Sequence, residues 1–138
     1  MKKLVILSAL FVSVLTLAFA AKGNSGKQPQ AKEAKVEVYY FHHTRRCATC
    51  NAVENESLKA IRLLYPVQLK SGKITFKSVN LDDKGSKVFA DKCKAEGQSL
   101  LVISKRVRID LTDTGFMYAR SNPEKLQEEL KKRIDPLL

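Results

Sequence analysis

A pair of cysteines at the junction between a strand pattern and a helix pattern constrains this chain more than any other feature of its sequence. Residues 36–41 read VEVYYF, a run of β-branched and aromatic residues that is typical of a strand buried on both faces. Cys47 and Cys50 follow this run, and apolar residues then recur at helical spacing as far as Leu64. The sequence therefore predicts a helix that begins at Cys47 and is ended or kinked by Pro66.

The rest of the chain continues the alternation of strand and helix. The patterns predict a strand over 73–81, a short helix over about 84–95, and strands over 99–104 and 107–111. They also predict a last helix capped either by Asn122 with Pro123 in its first turn or by Ser121 with Glu124 three residues later. The first two strands are joined through a helix and are expected to be parallel, whereas the last two are too close in sequence to be anything but antiparallel. The order β-α-β-α-β-β-α predicts an α/β fold: a mixed four-stranded sheet with helices on both faces.

Three local features of this prediction concern side chains. Asp82 and Asp83 are expected to cap the short helix over 84–95. Val88, Phe89 and Cys93 are expected to form its buried face. The connector 112–121 is unusually apolar, and its sequence leaves open whether it belongs to the core or to a docking surface near Cys47.

The N-terminal quarter of the chain has the composition of a targeting segment and a leader. Residues 1–20 have a basic start, an apolar stretch and the small-residue pattern Ala18-Phe19-Ala20, which together predict a signal peptide or an uncleaved anchor. Residues 21–34 lack any aliphatic side chain larger than alanine and predict a flexible leader. The folded domain is expected over 35–138, in the periplasm of a bacterium or another extracytoplasmic compartment. The membrane would be a partner only if the N-terminal segment stays uncleaved.

The setting of the cysteine pair favours a reactive thiolate. Cys47 and Cys50 lie on one side of the first helical turn, close enough to form a disulfide with little backbone movement. At the helix N-terminus, Cys47 faces unpaired backbone N–H groups and the positive end of the helix dipole, and both favour thiolate over thiol. Arg45, Arg46 and His43 add positive charge beside it. We expect a nucleophilic Cys47 and a more buried, resolving Cys50.

From these residues the chain resembles the thioredoxin-like superfamily over the whole span 35–138. The resemblance implies the thioredoxin-like fold and thiol-disulfide exchange, in which the Cys47 thiolate attacks a substrate disulfide and Cys50 releases the mixed disulfide. It implies protein thiols and disulfides as substrates, a redox partner that resets the pair, either free or membrane-bound, and no cofactor besides the Cys47–Cys50 disulfide. The direction of exchange is left open, because reduction, oxidation and isomerisation use the same two sulfurs.

The chain departs from the family pattern in the residues around the pair. Ala48 and Thr49 stand where typical thioredoxins have Gly-Pro, and Arg46 stands where many members have Trp. A buried acid on the first strand commonly serves the second cysteine in this family, but no acidic residue occurs between Glu37 and Glu54.

A second departure concerns the segment that faces the active site in this family. A proline commonly lies there, just before the third strand, but the chain has none between Pro66 and Pro123. Gln98 or Ser99 occupies that place, and both are candidates for lining the substrate groove.

Two other uses of the cysteines remain open. His42, His43, Cys47 and Cys50 supply two imidazoles and two thiolates, a set that suits zinc or cuprous copper, although strand alternation sends the two histidines to opposite faces. The Cys47–Cys50 disulfide could instead be purely structural and only hold the start of the helix in place. Cys93, left over from the pair, is expected to be a small buried hydrophobe.

The net positive charge of the chain does not point to a function other than thiol-disulfide exchange. The chain has 25 Lys+Arg against 14 Asp+Glu and a formal charge of +11. The basic residues are scattered over the helices and the leader, without an aromatic platform for stacking bases, so we expect a solvated surface and no nucleic-acid partner.

Overall fold

The computed structural model describes residues 35–105 and 107–138. The predicted signal peptide (1–20) and leader (21–34) lie outside the described residues and stay predictions. Within the described part of the chain, no helix is both long and apolar enough to cross a bilayer.

The described residues form strands and helices in the predicted order, with two additional short helices. They are β1 (Val36–His42), α1 (Ala48–Leu64), α2 (Pro66–Lys70), β2 (Ile74–Asn80), α3 (Ser86–Cys93), β3 (Ser99–Ser104), β4 (Arg108–Asp110), α4 (Thr112–Tyr118), α5 (Pro123–Ile134) and a final 3₁₀ turn (Asp135–Leu137).

Strand β1 is the buried strand that the sequence predicts. The sheet order is β2-β1-β3-β4, in which β1 pairs parallel with β2 and antiparallel with β3, and β3 pairs antiparallel with β4. Because side chains alternate along a strand, Val38 and Tyr40 enter the larger core beside α1 and α5, whereas Tyr39 and Phe41 enter a smaller core beside α3. The sheet is therefore covered by helices on both faces, and the predicted α/β class is confirmed.

Helix α1 begins and ends where its sequence indicates. Cys47 is the N-cap, and Tyr65 separates the helix from Pro66, which opens α2. Pro66 fits at a helix start because its missing N–H has no partner to lose there. The cysteine pair is thus held at the first turn of a 17-residue helix whose buried face includes Val53 and Ile61.

The predicted connector 112–121 contains helix α4, which the sequence did not reveal. Gly115 is buried within it, and a Cβ at this position would lie 3.0 Å from Val53 Cγ1 and 3.2 Å from Leu100 Cδ2. The glycine lets α4 approach both α1 and β3 closely. Met117, on another side of α4, is 61% exposed. The segment therefore contributes to the core through Gly115 and reaches solvent through Met117.

Replacing Gly115 by alanine should destabilise the domain by about 1–2 kcal/mol, because the new methyl group overpacks the contact with Val53 and Leu100. The gain in helix propensity, at most about 1 kcal/mol, opposes this only in part. Denaturant unfolding checks the value. A G115A variant as stable as the wild type would show that α4 moves away without loss.

Helix α3 corrects two local predictions. Asp82 and Asp83 do not cap it; its N-cap is Gly85, in the left-handed region, with no side-chain cap bond. Val88 is 60% exposed, and Ala90 is buried in its place with Phe89 and Cys93 packed around the same cluster. A helix turns by about 100° per residue, so the face built on Phe89, Ala90 and Cys93 leaves Val88 outside.

Candidate active site

The two cysteines at the start of α1 form a disulfide. Cys47 and Cys50 are joined with a Cα–Cα separation of 5.0 Å. Cys47 is exposed, whereas Cys50 is only 4% exposed. One sulfur is therefore open to another molecule and the other is screened by the protein.

Backbone N–H groups at the helix start point at both sulfurs. The Cys50 N–H donates to Cys47 Sγ at 3.0 Å, and the Cys47 N–H donates to Cys50 Sγ at 3.2 Å. The first turn of α1 contains no acidic residue. When the disulfide is reduced, a negative charge on Cys47 would lie at the positive end of the helix dipole and keep its N–H donor. This arrangement stabilises a thiolate at the exposed sulfur.

Arg46, expected beside the thiolate, has two protein partners. Its guanidinium forms an ion pair with Glu54 and contacts the ring of His42. The side chains of Arg46 and Glu54 are 24% and 18% exposed, and His42 is buried. Glu54 therefore offsets part of the positive charge that Arg46 brings to the pair. Arg45 is exposed at the surface.

His43 is held on the other side of the loop. Its Nδ1 lies 2.8 Å from Asp82 Oδ1, and the backbone N–H of Thr44 donates to Asp82 Oδ2 at 2.7 Å. The hydrogen bond with His43 and that from Thr44 lower the pKa of Asp82 to about 2. Asp82, predicted as a helix cap, instead joins the β2–α3 loop to the loop that leads into Cys47.

Replacing Asp82 by asparagine should remove a pH-dependent part of the stability. Because the folded-state pKa lies below the ordinary value of 3.8, Asp82 contributes fully above about pH 4, and the contribution is lost as pH falls through about 2. Between about pH 4 and pH 2 the free energy of unfolding of the wild type should fall as pH falls, and D82N should lack this pH dependence. D83N, the same substitution one position later, should retain the pH dependence. If the free energies of unfolding of D82N and the wild type changed in parallel over the acid range, the contact of Asp82 with His43 and Thr44 would contribute nothing to stability.

The two groove candidates before β3 have different partners. Gln98 Oε1 lies 3.6 Å from Cys50 Sγ, so Gln98 contacts the buried sulfur. Ser99 is buried, and its hydroxyl donates to the carbonyl of Gly97 at 3.1 Å. The structure therefore brings Gln98, at the place where the family commonly has proline, to the redox pair.

The histidines do not join the cysteines as one metal site. His42 turns to Arg46 and His43 to Asp82, in agreement with their predicted divergence. Among residues 35–105 and 107–138, no group of three or more His, Cys, Asp or Glu side chains is arranged to hold a metal ion. The described geometry gives the metal interpretation no support.

Sequence reasoning missed Glu54 and Tyr40. Glu54 follows Cys50 by four residues, a spacing that places both on one face of α1 and could have identified it. Tyr40 is fully buried near the Arg46–Glu54 pair; its hydroxyl has no hydrogen-bond partner within the described residues, and burial raises its pKa to about 12. No sequence signal distinguished Tyr40 from its neighbours on β1.

The third cysteine lies away from the pair. Cys93, at the end of α3, is a free thiol packed partly buried against the smaller core. Burial raises the pKa of this thiol. Its packing agrees with the expected role as a small hydrophobic residue.

Comparison with known proteins identifies the fold. No protein-family model matches the chain, and no curated protein matches it. Thioredoxin O2 from Arabidopsis thaliana, solved in the oxidised state, is similar with a TM-score of 0.50 and 16% identity, over 73% of this chain and 76% of that chain. A structure described as a malarial protein has a TM-score of 0.45 and 19% identity, over 71% of this chain and 96% of that chain. The sheet order, the disulfide at the strand-to-helix junction and the likeness to thioredoxin O2 together show that this chain has the thioredoxin-like fold.

Proposed function

We propose that this protein is an exported thiol-disulfide oxidoreductase in which Cys47 is the nucleophile and Cys50 the resolving cysteine. The observation that carries the proposal is the asymmetry of the pair: Cys47 is exposed at the N-terminus of α1, and Cys50 is buried behind it. A cysteine pair that only stapled the helix start would not need one sulfur open to solvent and supplied with a backbone donor. The thioredoxin-like fold supports a redox function at this coarse level.

The exchange proceeds in two steps. The Cys47 thiolate attacks a substrate disulfide, a Cys47–substrate bond forms, and the displaced substrate sulfur leaves as a thiolate that takes up a proton. Cys50 then gives up its proton and attacks Cys47 Sγ, and the second substrate sulfur leaves as a thiolate that is protonated in turn. The substrate gains two electrons and the pair becomes the disulfide. The same steps in reverse oxidise a substrate dithiol.

The substrates in this proposal are protein thiols and disulfides. They reach Cys47 from solvent, and a separate redox partner, free or membrane-bound, resets the pair after each turnover. The two sulfurs carry the electrons, so the proposal includes no further cofactor. Arg45 and Arg46 add positive charge near the thiolate, with the contribution of Arg46 reduced by Glu54, whereas His43 is paired with Asp82. Export, taken from the pattern of residues 1–20, would place the reaction in the periplasm or another extracytoplasmic compartment.

Equilibration with glutathione tests the proposal. The purified protein, with Cys93→Ser to leave only the pair, should pass reversibly between dithiol and disulfide as the ratio of reduced to oxidised glutathione is varied. Electrophoretic mobility after thiol alkylation measures the fraction in each state. Cys47→Ser in the same background serves as the control without a pair. A pair that stays fully in one state at every glutathione ratio, or that exchanges only after unfolding, would contradict the proposed function.

A further inference from the structure

The side-chain amide of Gln98 is aimed at the buried sulfur of the pair. Gln98 Oε1 lies 3.6 Å from Cys50 Sγ, within reach of an S–H donor. The backbone around Gln98 is held on both sides: Ser99 pairs with Phe41 in the sheet, and Gly97 has a φ of 77°, a conformation that favours glycine. The Ser99 hydroxyl also bonds to the Gly97 carbonyl. The amide oxygen is thus presented to Cys50 from an anchored segment.

We propose that Gln98 is a positioning residue that holds the proton on Cys50 in the reduced protein and so sets the balance between the dithiol and the disulfide. The inference rests on the proposed function and deepens it. It assigns to Gln98 a contact with the resolving sulfur, beyond lining a groove for substrate.

The direction in which Gln98 shifts the dithiol–disulfide equilibrium follows from which redox state has a hydrogen on Cys50 Sγ. In the disulfide, Cys50 Sγ carries no hydrogen, and a carbonyl oxygen facing it gains no hydrogen bond. In the dithiol, the Cys50 S–H can donate to Gln98 Oε1. Because this bond exists in only one of the two redox states, it stabilises the dithiol relative to the disulfide. Gln98 therefore makes the pair a stronger oxidant.

The same contact distributes charge between the two sulfurs. A carbonyl oxygen near Cys50 disfavours a thiolate there, whereas the helix N-terminus favours a thiolate at Cys47. The negative charge of the reduced pair is therefore directed to the exposed sulfur. Gln98 accepts a hydrogen bond and takes no proton or electron, so Cys50 must release its proton to another acceptor before it resolves a mixed disulfide. Gln98 consequently lengthens the life of that intermediate.

Two substitutions at Gln98 with opposite expected signs test the proposal. In the Cys93→Ser background, Gln98→Ala should shift the glutathione equilibrium about threefold toward the disulfide, which corresponds to a reduction potential lower by about 14 mV. Gln98→Glu keeps the oxygen and adds negative charge that also disfavours the Cys47 thiolate, so its opposite sign is expected in a titration of Cys50 without Cys47. Gln68→Ala, the same substitution on α2, is the matched control and should leave the equilibrium unchanged.

A second measurement does not depend on exchange with glutathione. In a Cys47→Ser, Cys93→Ser background, Cys50 is the only thiol, and its thiolate can be followed by ultraviolet absorbance as pH is raised. Gln98→Ala should move the midpoint of this titration to lower pH, and Gln98→Glu should move it to higher pH. This result holds even if the wild-type pair does not exchange, so failure of the proposed function and failure of this inference are distinguishable.

Three outcomes would overturn the inference. If Gln98→Ala leaves both the equilibrium and the Cys50 titration unchanged, the contact has no redox consequence. If Gln98→Ala shifts the equilibrium toward the dithiol, Gln98 stabilises the disulfide, which is the opposite of the proposed effect. If alanine and glutamate shift the Cys50 titration in the same direction, the effect is one of packing and not of a hydrogen bond to the thiol.

Discussion

Replacing Cys50 by serine should trap substrates on Cys47 as mixed disulfides. The variant keeps the exposed Cys47 and its backbone donor but lacks the sulfur that, in the proposed mechanism, resolves the intermediate. In that mechanism Cys50 attacks a sulfur held within the same helical turn, an intramolecular step with a high effective concentration. In Cys50→Ser an external thiol must do this in a bimolecular step. Turnover with a disulfide substrate should fall on the order of 10³-fold or more.

Separation of trapped complexes without and with reductant checks this result. Cys50→Ser, with Cys93→Ser to remove the remaining thiol, should accumulate adducts that dissociate on reduction. The matched variant Cys47→Ser should not, because its thiol is the buried Cys50. Adducts that form equally on both variants would show that exposure does not select the nucleophile. The absence of adducts on Cys50→Ser, in the compartment where the protein functions, would contradict a mixed-disulfide mechanism.

The parts of the fold that the sequence predicted are those in which local pattern and tertiary packing agree. Strand β1 is apolar at nearly every position because both of its faces are buried, and α1 repeats its apolar residues at helical spacing because one face packs on the sheet. The last helix has Asn122 as its N-cap, with the side chain accepting from the Lys125 N–H, and this is one of the two caps that its sequence indicated. At these elements short-range and long-range interactions favour the same structure.

Helix α4 could not be predicted in this way. Its seven residues include two threonines and a central glycine, all poor helix formers, so local propensity gives no helix signal. The helix is supported instead by the close approach of Gly115 to Val53 and Leu100, residues far from it in sequence. A contact of this kind is formed by the folded chain and leaves no periodic pattern in a short segment.

In the candidate active site, as in the fold, local placement could be predicted from the sequence and long-range partners could not. The exposure of Cys47, the burial of Cys50 and the divergence of His42 and His43 follow from their places at the end of β1 and the start of α1. The partners of the charged residues do not, because Asp82 meets His43 across 39 positions of the chain and Arg46 meets Glu54 on the face of α1. A charge next to a cysteine in sequence predicts a charge available to its thiolate. In the folded protein such a charge has competing partners, and Glu54 is one of them.

Replacing Glu54 by glutamine should therefore have two effects with one cause. The Arg46 guanidinium would keep its largely buried position without its carboxylate, which should lower the free energy of unfolding by about 2–3 kcal/mol. The positive charge of Arg46 would also no longer be offset, so the reduced protein should carry a larger fraction of Cys47 as thiolate. Denaturant unfolding measures the first effect. The rate of Cys47 alkylation as a function of pH measures the second, with its midpoint expected at lower pH than in the wild type.

Two companion variants separate the ion pair from a general effect of mutation. Glu56→Gln, on the same helix, removes an exposed pairing with Lys59 and should change stability by less than about 1 kcal/mol, with no change in alkylation. The double variant Arg46→Met, Glu54→Gln leaves no unpaired guanidinium and should recover most of the lost stability. It should also lack the increase in Cys47 thiolate, because the charge responsible is gone. If the double variant alkylates as readily as Glu54→Gln alone, Arg46 is not the source of the effect, and the loss of the Glu54 carboxylate itself raises the Cys47 thiolate fraction.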